Sequence, residues 1–298
     1  MSFFRRFFFL IALNMLIVVS ASIVATLVMS YFGFQGDLPF YLILYSLIGF
    51  GGAFFSLAIS KWSAKKWMGV QIIDPEQCHG EDRELVEMVH EMARAARLPK
   101  MPEVGIYESP DMNAFATGPN KRNSLVAVSS GLLSRTNKEE LRGVLGHEVA
   151  HIANGDMVTM TLLMGIVNTM VLLAARLVAR MIASQMRQRS FWMEHLIFMG
   201  LQMVFMIFGS MVLGFFSRKR EYRADAGGAR FAGAGSMIRA LKALQRSSQP
   251  LRPEEVSPKQ ESYGYLQISG RPKKSWMALL STHPPLEDRI ARLERQHQ

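Results

Sequence analysis

His147-Glu148-Val149-Ala150-His151 sets two imidazoles and a carboxylate at a spacing suited to hydrolytic chemistry. Histidines four apart on a helix lie on one face, one turn above the other, so both can bind one metal ion. Glu148 is rotated about 100° from His147, which sets its carboxylate beside such an ion rather than on it. From there it can take a proton from a water whose pKa the metal has lowered. The competing reading is a helix with two ordinary surface histidines.

Two histidines do not complete a catalytic centre, which usually has three protein ligands and an open position. Glu221-Tyr222-Arg223-Ala224-Asp225 supplies the best third candidate. Glu221 and Asp225 share a helix face, so Glu221 can bind the metal while Asp225 reaches back to a ligand histidine and fixes its tautomer. On the residues alone, a solvated charge cluster with Arg218, Lys219 and Arg220 stays open. His79, His90, His195 and His297 have no helical partner and read as surface or membrane-interface residues. Cys78 is the one cysteine. It rules out an internal disulfide and a Cys-rich metal site, and it agrees with a reducing compartment.

Several elements must hold these groups. Thr136 or Asn137 caps a helix starting near Lys138, with Glu139 and Glu140 in the first turn, where the helix dipole favours acids. Leu85, Val86, Val89 and Met92 give residues 82–97 an amphipathic helical pattern. Residues 104–107 and 125–128 read as short strands, with Asn113 to Gly118 and a turn at Pro119-Asn120 between them. Ser247 to Lys274 is rich in Ser, Pro, Gly and charge and reads as a mobile loop, and Glu287 to Arg295 as a terminal amphipathic helix.

The remaining chain is membrane-like. Between Arg6 and Lys61 the only charged residue is Asp37, so residues 7–35 and 38–60 can each cross a bilayer; residues 157–175 and 196–217 carry no charge. Four such runs in 298 residues exceed what a soluble chain of this size can wrap. Arg5, Arg6, Lys61, Lys65 and Lys66 place both ends of the first hairpin in the cytoplasm of a bacterial-type inner membrane. His151 and Glu221 can meet at one ion only after zero or two crossings. A second hairpin is the natural solution, although Arg176, Arg180, Arg187 and Arg189 in its turn conflict with the positive-inside rule unless they snorkel or the pair is shallow. The division expected is a hairpin over 1–60, a catalytic part over 61–156, a second hairpin over 157–217 and a second catalytic part over 218–298. With 49% hydrophobic and 19% charged residues, disorder and collagen-like repeats are excluded. Membrane-flanking basic residues account for the net charge of +10, and nothing suits nucleic acid.

Taken in order, the amino-terminal hairpin, the Asn113–Gly118 segment, the His147–His151 motif, the second apolar pair, Glu221 to Asp225, and Thr282-His283-Pro284-Pro285 followed by Arg289 resemble the HtpX-type zinc metalloproteases of bacterial inner membranes. These belong to family M48, which includes the CAAX prenyl proteases. The resemblance implies a mainly α fold with a small β-sheet, a zincin-like α+β protease domain, about four transmembrane helices and one Zn2+ per chain. It implies His147, His151 and Glu221 as zinc ligands and Glu148 as catalytic acid and base. It also implies membrane-protein substrates, quality control and stress induction, and a multi-pass protein with its active site on the cytoplasmic side. Asn113, Ala114 and Phe115 then serve as an edge against which an extended peptide adds as a strand. His283, or else Arg289, is the candidate second donor to the oxyanion, against a plain structural role at a Pro-bounded helix start. The competing functions are a CAAX-type prenyl-peptide protease and a zinc-binding membrane scaffold without turnover.

Overall fold

The computed structural model describes residues 38–186, 191–248 and 283–296. The apolar run over 7–35, the arginines at 187 and 189, His297 and nearly all of the 247–274 loop lie outside the described residues. Twelve elements follow in chain order: α1 Leu38–Trp67, β1 Gln71–Ile72, α2 Gly80–Ala95, β2 Glu103–Tyr107, β3 Ala114–Asn120, β4 Asn123–Ser129, α3 Ser130–Leu133, α4 Lys138–Asn154, α5 Asp156–Ser184, α6 Phe191–Ala232, α7 Ala234–Ser248 and α8 Leu286–Gln296. The fold is mainly helical with one small mixed sheet, as expected. Among the described residues three helices, α1, α5 and α6, are long and apolar enough to cross a membrane, one fewer than the four apolar runs. The chain forms two compact units: residues 38–56 with Met160–Phe215, and Leu57–Thr159 with residues 216–248 and 283–296.

In the second unit the sheet order is β1-β2-β4-β3. β4 is one of its two interior strands, parallel to β2 with Val104 opposite Val126 and antiparallel to β3 with Phe115 opposite Ala127. Its run Leu125-Val126-Ala127-Val128 is fully buried. Val126 and Val128 join a core built by α2 and α4, while Leu125 and Ala127 join Tyr107 and Phe115 on the other face. A continuous apolar run, without alternation, is what burial on both faces requires. Residues 113–118, read as a segment between strands, largely become the edge strand β3.

The first unit packs α1, α5 and α6 around Tyr41, Tyr45, Leu172, Ala175, Ala179 and Phe198. Large apolar side chains such as Ile43, Phe55, Met170 and Phe208 point outward, as contact with lipid requires. Arg176 and Arg180 are not in a turn: α5 runs on to Ser184, because Leu177, Val178, Met181 and Ile182 continue the apolar surface around them. Nor does Arg176 snorkel. Its guanidinium donates to the Tyr41 hydroxyl at 3.0 Å, pairs with Glu194 at 3.2 Å and lies over the Tyr41 ring. His195 is likewise buried here, against the Phe198 ring, rather than on a surface. Arg176 and Glu194 are only partly buried, their side chains 13% and 29% exposed, and breaking their pair strands the surviving charge. Arg176→Leu is therefore expected to cost about 1–2 kcal/mol, less than the loss of one partner of a fully buried pair. The double variant with Glu194→Leu should recover most of that loss, as thermal unfolding in detergent would measure.

Candidate metal centre

Helix α4 begins on a capping box. The Asn137 side chain accepts from the Glu140 amide, and the Glu140 carboxylate accepts from the Asn137 amide. It ends on Gly155 at φ 70°, a left-handed cap that glycine adopts without strain. Leu141, Val144, Leu145, Val149 and Ile152 bury its back in the core, which leaves His147 and His151 on one remaining face.

Glu221 arrives on α6. At 42 residues this helix is about 60 Å long, roughly twice what a bilayer needs. Its surplus continues past Ser217 without a break and carries Glu221 and Asp225. Close packing brings that stretch to α4: a Cβ on Gly228 would lie 3.0 Å from the His147 amide nitrogen, tighter than side chains ordinarily sit, so a glycine suits the approach. Helix α8 packs Ile290 and Leu293 against Ala229, Met237 and Leu241, which delivers Arg289 to the same place.

These placements converge on one point. His147 Nε2 and His151 Nε2 are 3.1 Å apart. The Glu221 oxygens lie 3.5 Å from each of them, one oxygen per imidazole. A tetrahedral zinc with bonds of about 2.0–2.1 Å would space its ligand atoms about 3.3–3.4 Å apart, so the donor set fits. Its chemistry fits as well. His151 Nδ1 donates to Asp156 at 2.6 Å, and His147 Nδ1 lies 3.0 Å from Asp225. With both Nδ1 atoms committed to carboxylates, both Nε2 lone pairs and the buried Glu221 carboxylate face each other and need a positive charge between them. Burial disfavours an imidazolium at His147, yet Asp225 and Glu221 outweigh it and hold its pKa up to about 9. A proton takes the cation's place when no cation is there.

Comparison with known proteins identifies the chain. Residues 79–297 match Peptidase family M48. This chain belongs to peptidase family M48. It is 46% identical over 302 residues to a protein named Protease HtpX homolog from Bacillus subtilis strain 168, covering 97% of this chain and 99% of that one. It is 47% identical over 297 residues to Protease HtpX of Shewanella baltica strain OS195, with the same coverage. The fold is similar to the crystal structure of S. mikatae Ste24p, with a TM-score of 0.60 at 17% identity, over 96% of this chain and 64% of that one. As a family M48 member of HtpX type with three long apolar helices among its described residues, the chain is a bacterial membrane protease with a candidate metal site, and its substrates are proteins.

The structure brings together His147, His151, Glu221 and Asp225 in this M48 chain. Glu148 lies next to them, half-buried, with no hydrogen bond or ion pair to another described residue. His283 arrives too, its Nδ1 2.9 Å from Glu221. Arg289 is buried and grips both Asp225 oxygens, through Nε at 2.8 Å and Nη2 at 2.5 Å. Asn113 is fixed at the start of the edge strand by donating to the Tyr107 hydroxyl at 2.8 Å, and Ala114 packs on the core of α2 and α4 while Phe115 packs on Tyr107. Asp156 and Arg223 were not anticipated from sequence. The available signal was an acid five residues past His151, just beyond the glycine that ends its helix.

Proposed function

We propose that this M48 protease is a zinc-dependent endopeptidase of the bacterial inner membrane that cleaves misfolded or damaged membrane proteins, in quality control under stress. The observation that carries the reading is the meeting of two Nε2 atoms and the Glu221 carboxylate, with each imidazole's other nitrogen tied to a carboxylate. His147, His151 and Glu221 would hold the ion. Bound there, zinc would polarise the scissile carbonyl and acidify a water. Glu148 takes the proton of the attacking water and delivers it to the leaving amine. His283, anchored on Glu221, is the donor proposed for the developing oxyanion. Arg289 spends its guanidinium on Asp225 and acts through it on His147.

Substrate would lie along β3. Among the described residues β3 pairs only with β4, so its other edge offers backbone groups to an extended peptide, and it packs beside α4. Backbone pairing reads extension more than sequence, which suits unfolded substrates. A cytoplasmic active site is supported by the last turns of α1, where Lys61, Lys65 and Lys66 accompany the exposed indoles of Trp62 and Trp67. Tryptophans mark a membrane interface on either side, and the lysines favour the inner one.

Zinc removal tests the reading. Chelation should abolish peptide hydrolysis and added zinc should restore it. Because His147 holds its proton up to about pH 9, the metal must expel that proton at neutral pH. Each unit of pH below about 9 raises the competing proton tenfold, so zinc affinity should fall about tenfold per unit from pH 9 to 7 and level off above 9. A chelator-competition titration across this range measures the slope. Hydrolysis that survives full chelation would defeat the proposal.

A further inference from the structure

Each imidazole at the centre carries a carboxylate, but the two are built differently. Asp225 comes from the same helix as Glu221 and is clamped by two nitrogens of the buried Arg289. Asp156 is the first residue of α5, one position past the glycine that ends α4. An acid there has an ordinary explanation, since it suits the positive end of a helix dipole. Such a residue usually faces solvent or caps the first-turn amides. Asp156 does neither: its side chain is 1% exposed, and its two oxygens go to His151 Nδ1 at 2.6 Å and to Arg223 Nη2 at 3.2 Å. Arg223 lies two residues beyond Glu221, so the residue that steadies Asp156 is carried by the helix that brings the third ligand.

We infer that Asp156, steadied by Arg223, is a positioning residue for His151: it holds the Nδ1 hydrogen, and so aims the Nε2 lone pair at the point shared with His147 and Glu221. This rests on the metal-site reading above. It adds that the junction of α4 and α5 is part of the centre, since His151 is oriented from beyond its own helix. Arg223 contributes less than Arg289 does on the other side, because its side chain is 59% exposed and offers one contact instead of two.

The test uses the full chain in detergent and zinc as the probe. Asp156→Ala should weaken zinc binding about 10–100-fold, the usual effect of losing such a partner. Asp156→Asn, which keeps an acceptor for the Nδ1 hydrogen, should recover most of that affinity. Arg223→Ala should give a smaller loss than Asp156→Ala. The metal-free melting temperature, read in parallel, separates lost positioning from lost folding. Unchanged zinc affinity in Asp156→Ala overturns the inference, and so does a loss that Asp156→Asn fails to recover. Wild type and His151→Ala are measured beside them. If wild type binds no zinc, or His151→Ala binds as tightly as wild type, the reading of the metal centre itself has failed; if only the Asp156 variants behave like wild type, that reading stands and this inference alone falls.

Discussion

Glu148→Gln is expected to leave zinc bound and to slow peptide hydrolysis about 100- to 10,000-fold, the usual worth of a positioned general acid and base. The substitution is nearly isosteric. It removes a charge that no described residue uses: Glu148 is half-buried beside His147 and engages no hydrogen bond or ion pair. A partly exposed carboxylate beside the candidate metal centre is free to meet a water there, whereas a scaffold that only held zinc would have no need of it. Its charge is nevertheless felt at the site, since it helps to raise the pKa values of both His147 and Arg289. Gln cannot accept the water's proton, so binding survives and turnover does not. Metal content by atomic emission and kcat/KM on an unstructured peptide, both on purified protein, check the two halves separately. Retention of wild-type turnover would mean that the base is another residue. Glu148→Asp keeps the charge but withdraws it by one methylene, and should fall between the two.

The parts of this centre legible in the sequence were those set by spacing within one helix. His147 and His151 share a face of α4, and Glu221 and Asp225 share a face of α6, because four residues make about one turn in any helix. The Asn137 cap and the apolar run of β4 were legible for the same local reason. What escaped were partners joined by tertiary contact. Arg289 meets Asp225 across 64 residues. Asp156 is close in sequence to His151 but lies past a helix end, where a spacing rule loses its phase. Arg176 looked like a topological problem because the apolar pattern put it in the turn of the second hairpin, against the positive-inside rule, and nothing in the sequence pairs it with Tyr41 and Glu194. The edge strand β3 was obscured by Gly118 and Pro119, residues that usually break strands. Here they sit where the pairing with β4 shifts register between Thr117 and Asn120.

Arg289→Met should destabilise the metal-free protein by about 3–5 kcal/mol, the cost of stranding one member of a buried ion pair. The Arg289 side chain is 7% exposed and that of Asp225 3%, so little water can reach the carboxylate once its guanidinium is gone. Burial disfavours the guanidinium's charge as well, yet Asp225 keeps the Arg289 pKa above its ordinary value. The pair is thus held by mutual need, and the double variant Arg289→Met/Asp225→Leu should regain much of the lost stability. It should not regain zinc affinity, because His147 Nδ1 would have lost the carboxylate 3.0 Å away that fixes its tautomer. Stability and metal binding therefore part company in this one cycle, with unfolding of the metal-free protein reporting the first and chelator competition the second. Were Arg289 a direct donor to substrate instead, the single variant would lose turnover while keeping both its stability and its zinc.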